Sequence, residues 1–219
     1  LKSMKEQWHN FAPSCERNKE AIFEHVKLHC AEVTEVLELG NYSGQHASFF
    51  ANKLPHLIWQ CSDQQEYLAS LSQNLDEHGT SNLLTPISLD VANHNQWPRK
   101  QYQLIYSANT LHIMSWQHVV CLFKHVAGVC KPNTKLIIYG PFKFDGEYTS
   151  ASNADFDLWL KARDSQSAIR DFEEVNFLAE QAGFELEANI DMPANNQLVI
   201  WRFNRCNKLK SLTEKANTP

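Results

Sequence analysis

The sequence predicts an α/β fold built on a mostly parallel sheet whose last strand is antiparallel. Three observations carry this. Short apolar runs alternate with segments of helical period through most of the chain. The breaks between them hold glycine, proline, asparagine and aspartate, the residues of turns and caps. Near the C-terminus two strand-like runs are separated only by "DMPAN" (191–195), which suits an antiparallel hairpin and is too short for a crossover.

The elements follow in order. "SCERNKEAIFEHVKLHC" (14–30) reads as a helix: Pro13 and Ser14 supply a start, and Ile22, Phe23, Val26 and Cys30 fall on one side. "VTEVLEL" (33–39) is a strand and "GQHASFFANKL" (44–54) a helix. "LIWQC" (57–61) is the second strand, followed by a helix over 64–78 that Gly79 ends. "LLTPISL" (83–89) is the third strand, with Pro86 weakening its regularity. "YQLIYSA" (102–108) is the fourth, "SWQHVVCLFKHVAGVC" (115–130) the next helix, and "TKLIIYG" (134–140) the fifth strand. The polar stretch 141–167 breaks the rhythm and is expected as a loop plus a short helix capped by Ser152 or Asn153. "DFEEVNFLAEQAG" (171–183) has Asp171 and Glu174 at capping-box spacing and Gly183 as a stop. "FELEANI" and "NQLVIWRF" close the chain as two strands. Residues 1–203 are expected as one domain with 141–167 as a lid or substrate insert, and 204–219 as a polar, mobile tail.

Composition narrows the functions. At 219 residues the chain can bury a substantial core, and its net charge of −5 offers no basic face for nucleic acid. No apolar run approaches the ~20 residues that span a bilayer, and "LKSMKEQWHN" has no apolar core of a signal peptide. Six cysteines, none in a C-x-x-C pair, read as reduced thiols of a cytoplasmic protein. His25 and His29 have the spacing of a metal pair on a helix but no third ligand near in sequence, so they are read as a solvated face. The sequence carries no signal for oligomeric state.

In open α/β sheets, ligands sit beyond the carboxyl ends of the strands. After the first strand comes "VLELGNYSGQHASFF" (36–50), with Glu38, Gly40 and Gly44. Asp63 lies 19 residues past Gly44, near the spacing at which an acid accepts from ribose hydroxyls, although Ser62-Asp63 also precedes a helical pattern it can cap. Asp90-Val91 follow the third strand and "SANTLH" (107–112) the fourth. Polar groups thus converge from four strand ends. The absence of G-x-G-x-x-G and the closing hairpin disfavour a nicotinamide-dependent oxidoreductase.

This arrangement resembles the class I S-adenosylmethionine-dependent methyltransferases and their Rossmann-like sandwich of seven strands. The strings "APSCERNKEAI", "SGQHASFFA", "WQCSD", "LDV", "SANTLHIMSW", "YGPF", "TSASNADFDLWLKARD", "IRDFE" and "MPANNQLVIWR" resemble a domain-of-unknown-function family of small methyltransferase-like proteins over residues 11–203. The resemblance implies S-adenosylmethionine as cofactor, held by Arg17, Asn18, Glu38, Gly40, Gly44, His46, Asp63, Asp90, Val91, Ser107 and Asn109. Arg17 is expected at the methionine carboxylate, Asp63 at the ribose and Asp90 at the adenine amine. His112, at the exit of the fourth strand, is the candidate base if the acceptor must lose a proton, with Tyr139 and Tyr148 behind it; the plain alternative is a histidine that starts a helix. Asn153, Asp157, Arg163, Asp164, Arg170 and Asp171 either line the substrate side or fold the insert. The acceptor is expected to be a small molecule. No Asn/Asp-Pro-Pro-Tyr/Phe string follows the fourth strand, which argues against methylation of nucleic-acid bases.

Tyr42 departs from the pattern. It stands where such loops carry glycine, and tyrosine adopts positive φ poorly. The expectation is that Gly40 and Gly44 keep the loop's path while the Tyr42 ring points outward or over the cofactor. A non-catalytic binding module of the same fold is the alternative that Tyr42 supports.

Overall fold

The computed structural model of the protein describes residues 3–204. After a short helix α1 (Met4–Gln7), the chain runs α2 (Pro13–Val26), β1 (Glu35–Leu39), α3 (Gln45–Lys53), β2 (Ile58–Asp63), α4 (Leu68–His78), β3 (Leu83–Ser88), β4 (Tyr102–Ala108), α5 (Trp116–Val126) and β5 (Cys130–Gly140). An insert follows, with β6 (Phe142–Phe144), β7 (Glu147–Tyr148), α6 (Ala151–Arg163) and β8 (Arg170–Asp171). Helix α7 (Phe172–Gln181) and strands β9 (Phe184–Met192) and β10 (Asn196–Phe203) complete it. The tail expected at 204–219 lies, beyond Asn204, outside the described residues, as does Cys206.

The main sheet has the order β3-β2-β1-β4-β5-β10-β9. The pairs from β3 to β5 are parallel, and β10 pairs antiparallel with both β5 and β9, as the hairpin spacing requires. Pro86 is tolerated because β3 is an edge strand. Alternate residues feed two cores. Val36, Trp59, Leu104, Tyr106 and Ile137 pack against Ile22 and Val26 of α2 and Phe50 of α3. Leu37, Ile105, Ile138, Val199 and Trp201 pack against Val119 and Phe123 of α5 and Val175 of α7.

The insert departs from expectation. It is a second sheet, β7-β6-β8, followed in sequence between β7 and β8 by a helix of 13 residues. Asp145 (φ 50°) and Gly146 (φ 79°) make the β6–β7 turn, the pairing that left-handed hairpin turns favour. Neither Ser152 nor Asn153 caps α6: Ser150 does, its hydroxyl accepting from the Asn153 amide at 3.1 Å. The capping box at Asp171 also does not form. Asp171 belongs to β8, and its carboxylate faces Lys143 of β6 at 3.5 Å.

Candidate active site

The order of the sheet reverses between β1 and β4, and the ends of four strands are tied there into one edge. The Gly40 amide donates to Ser62 O (3.0 Å), Leu89 N to Asp63 O (2.8 Å), Ser107 Oγ to Leu39 O (2.8 Å) and Asn109 N to Tyr139 O (2.9 Å). The three backbone bonds carry the strand pairing one residue past the sheet and the Ser107 hydroxyl ties β4 to the end of β1, so the loops leave in a fixed direction.

The β1 loop turns on three left-handed residues: Gly40 (φ 72°), Tyr42 (φ 52°) and Gly44 (φ 78°). A Cβ added at Gly40 would stand 2.6 Å from Thr110 Cγ2, so glycine there lets the β1 and β4 loops touch. Tyr42 accepts the strain because its amide donates to Asp63 Oδ2 at 2.6 Å, and its ring, 43% exposed, packs edge-on against Tyr67. Asn41 Oδ1 accepts from Ser62 N at 2.8 Å, while the buried Asn41 Nδ2 meets no hydrogen-bond partner. Asp63 Oδ1 accepts from Gln64 N at 2.7 Å, the local capping contact, and burial pushes the carboxyl above its usual range. Each carboxylate oxygen keeps a second lone pair for a ligand hydroxyl.

Glu38 lies beneath this loop, 3% exposed, with Trp59 Nε1 donating to it at 2.9 Å. Burial raises its pKa to about 8, so the carboxyl is largely protonated at neutral pH. After β3, Asp90 Oδ1 accepts from Ala92 N at 2.9 Å in a local turn and faces His118 Nε2 at 3.6 Å; Val91 is buried. Arg17 is exposed on α2, and no ion pair holds it among the described residues. Asn109 takes the left-handed conformation (φ 56°) that asparagine tolerates.

Five expected residues are committed elsewhere. His46 is buried with Nε2 at 2.7 Å from Asn18 Oδ1 and Nδ1 at 3.0 Å from the Tyr106 hydroxyl. An amide oxygen accepts, so Nε2 carries the proton and Nδ1 accepts from tyrosine; Asn18 and His46 lock α2 onto α3 and β4 instead of facing a ligand. The Asn18 amide also bonds to Tyr139, and burial raises the Tyr139 pKa, which removes that phenol as a ready base. The Ser107 hydroxyl is spent on Leu39 O and on Thr110 Oγ1 (2.6 Å). Tyr148 donates to Asp157, and this bond raises its pKa to about 12, so it too is removed as a base. Asp157 is fully buried and also accepts from Lys161 (2.6 Å) and Ile169 N (2.8 Å). Burial alone would raise its pKa, but these bonds outweigh it and the pKa falls. Asp157 therefore folds the insert.

His112 keeps its place at the exit of β4. It is 5% exposed, its ring meets Phe156 edge-on at 5.5 Å, and its imidazole makes no hydrogen bond among the described residues. Burial first, and the Arg170 charge second, lower its pKa to about 4. Its loop is fixed by a feature sequence reading did not find. Four consecutive carbonyls are taken from the end of the insert: Leu111 O by Arg170 Nε (3.2 Å), His112 O by Ala168 N (3.1 Å), Ile113 O by Ser167 Oγ (2.6 Å) and Met114 O by Arg170 Nη2 (2.7 Å). "IRDFE" signalled the segment, but only the fold shows what Arg170 holds.

The buried groups set the pH dependence of stability. His46 and His112 titrate at about 4 folded against 6.5 unfolded, so the unfolded chain binds more protons between those values. Their contribution is complete above pH 6.5 and is lost as pH falls toward 4. Glu38 is raised, so its contribution is complete below 4.5 and is lost as pH rises through about 8. Two histidines against one carboxyl leave about one net proton on either side of pH 6.5, worth about 1.4 kcal/mol per pH unit. Urea midpoints measured from pH 5 to 8.5 are expected to peak near pH 6.5. A flat profile would show that these three groups are not buried in the charge states described.

A family described as "Protein of unknown function (DUF938)" matches residues 9–203. Among solved structures, an O-methyltransferase family protein from Burkholderia thailandensis superposes with a TM-score of 0.76 at 16% identity, over 87% of this chain and 57% of that one. Human N-acetylserotonin methyltransferase, in complex with SAM, gives 0.73 at 15% identity over 87% and 53%. The mitomycin 7-O-methyltransferase gives 0.71 at 16% over 86% and 54%. The chain thus has the Rossmann-like fold of these methyltransferases and spans little more than half of their length.

Proposed function

Since the chain belongs to the DUF938 family and carries this methyltransferase fold, we propose that it transfers a methyl group from S-adenosylmethionine to a small-molecule acceptor. The observation that supports this best is a neutral imidazole, His112, free of hydrogen bonds on the sheet edge that also presents Asp63 and the Gly40 loop.

The residues suit the cofactor. Asn41 Nδ2 is a buried donor with no hydrogen bond of good geometry, near the Glu38 carboxyl, and the glycines at 40 and 44 leave bare backbone at the loop. Asp63 would accept the ribose hydroxyls, Asp90 and the apolar Val91 would border the adenine, and Arg17 would pair with the amino-acid carboxylate. Glu38, protonated in the free protein, would ionise beneath the ammonium group and release its proton. Backbone at Asn109 would border the methionine part.

S-adenosylmethionine supplies a methyl already activated for displacement: the carbon–sulfur bond breaks, its electron pair goes to sulfur, and the acceptor's lone pair bonds to carbon. The protein supplies alignment and excludes water. His112 takes the acceptor's proton, becomes imidazolium and passes the proton to solvent. A pKa near 4 makes it a weak base, suited to an acceptor whose proton leaves late in the displacement. The insert borders His112 through Phe156 and serves as lid and specificity element over a catalytic unit formed by residues 1–203.

Incubation with S-adenosylmethionine and a mixture of small alcohols and phenols should form S-adenosylhomocysteine above the acceptor-free rate. Cofactor binding without any such turnover, across hydroxyl, amine and thiol acceptors, would favour the non-catalytic module instead. Tyr42, the residue that suggested that module, does not impede the loop: its backbone fixes Asp63.

A further inference from the structure

A cavity of about 540 Å³ lies between the β9–β10 turn and the insert, lined by Phe144, Thr149, Asn189, Asp191, Met192 and Gln197. Gln197 is 5% exposed, and its Oε1 meets no hydrogen-bond partner. A buried amide oxygen left unmatched is costly, and at the cavity wall it offers an acceptor to a ligand donor.

The register gives this glutamine its meaning. Gln197 pairs with Gly140 on one side and Asp191 on the other. Directly paired residues put their side chains on one face, so Gly140, Gln197 and Asp191 form a row across three strands. At the Gly140 end, His112 Nδ1 stands 3.5 Å from where a Cβ would be. A side chain at Gly140 would be in contact with the imidazole, so glycine leaves that face of His112 bare on the side of the row. At the other end, the Asp191 side chain is exposed and in no ion pair among the described residues. The lining holds no lysine or arginine, so its field favours cations and disfavours anions.

The turn that borders the cavity is held in a strained shape. Ala194 (φ 59°) and Asn195 (φ 56°) are both left-handed, and Asn196 Nδ2 braces them through Pro193 O and Ala194 O, each at 3.2 Å. From the insert, Asn153 Nδ2 donates to Asn195 O at 3.0 Å. Strain maintained by such bracing is a mark of functional turns.

We propose that this cavity is the acceptor subsite, and that it selects a small hydroxyl compound carrying an amine about 8 Å away, within the span of two strand spacings. The hydroxyl meets His112, and the ammonium donates to Asp191 and to the unmatched Gln197 Oε1 beside it, with Phe144 and Met192 as apolar walls. This rests on the methyltransferase reading of the same edge.

The test is a ligand-observed NMR titration of the protein saturated with S-adenosylhomocysteine. The probe is tyramine, whose phenol and amine are far apart; the control is 3-(4-hydroxyphenyl)propionate, of similar length but ending in a carboxylate. Tyramine is expected to bind at least tenfold more tightly than the control. Asp191→Asn, an exposed substitution, and Gln197→Ala should each weaken tyramine at least tenfold and leave S-adenosylhomocysteine affinity unchanged. Equal binding of the two probes, or unchanged tyramine binding in both variants, overturns the subsite. If S-adenosylhomocysteine itself fails to bind, the methyltransferase reading falls separately. Tyramine binding to the free protein that is lost in Asp191→Asn then keeps the cavity as an amine site, and no binding overturns both.

Discussion

Replacing Gly40 with alanine is expected to destabilise the protein by about 3 kcal/mol and to abolish cofactor binding. Two costs add. An L-residue at φ 72° pays about 1–2 kcal/mol for the left-handed conformation. The new methyl would also lie 2.6 Å from Thr110 Cγ2. Thr110 cannot turn aside freely, because its Oγ1 is bonded to Ser107 Oγ at 2.6 Å and Ser107 is itself bonded to Leu39 O. The second cost is separable. Thr110→Ser keeps the hydroxyl and removes Cγ2, so in the Gly40→Ala background it should restore about half of the lost stability, measured by urea midpoints. Additive losses in the double variant would show that the two loops do not press on each other.

His112→Ala is expected to leave S-adenosylhomocysteine affinity within about twofold of the wild type and to slow turnover of a hydroxyl acceptor roughly 10²-fold or more. The split follows from the geometry: the imidazole borders Gly140 and Phe156, whereas the groups assigned to the cofactor lie around Asp63 and the Gly40 loop. A second readout checks the protonation state. Because His112 titrates at about 4, the wild-type rate should show no acid-side loss from this group between pH 6 and 8. Single-turnover rates on both proteins measure this. Full activity in His112→Ala would remove the base, and the structure offers no easy successor, since Tyr139 is bound by Asn18 and Tyr148 donates to Asp157.

Much of the sheet was legible because its central strands are buried on both faces and read as apolar runs between turn residues. Asp63 was legible as the last polar residue of such a run, and the fold sets its carboxylate at the sheet edge against the Tyr42 amide. The insert was not. Its strands are two or three residues long: β6 and β7 form a short local hairpin, Lys143 with Tyr148, and β8 exists only through pairing with a segment far away in sequence, Arg170 with Phe142. Its one local signal was Asp145-Gly146 between aromatic residues, the mark of a tight hairpin. Asp171 showed the limit of spacing rules, since its pairing with Lys143 overrides the capping box. Histidine 46 and Ser107 sit at cofactor-loop positions by sequence, yet burial turns them into fasteners between elements. Arg170 was flagged by sequence but its role was not, and Gln197 was not singled out: what each does depends on partners brought by topology, the Leu111 and Met114 carbonyls for one and the Gly140–Asp191 row for the other.

The central claim is that four strand ends form a site for S-adenosylmethionine, and a calorimetric titration with S-adenosylhomocysteine at pH 7 tests it most directly. The expected result is one site of micromolar affinity, about −8 kcal/mol. Repeating the titration in buffers of different ionisation enthalpy should reveal release of up to one proton, from Glu38, whose pKa is about 8 in the free protein. Asp63→Ala should weaken binding by about 1.5–3 kcal/mol through loss of charged hydrogen bonds. No heat and no thermal shift at millimolar ligand would contradict the account.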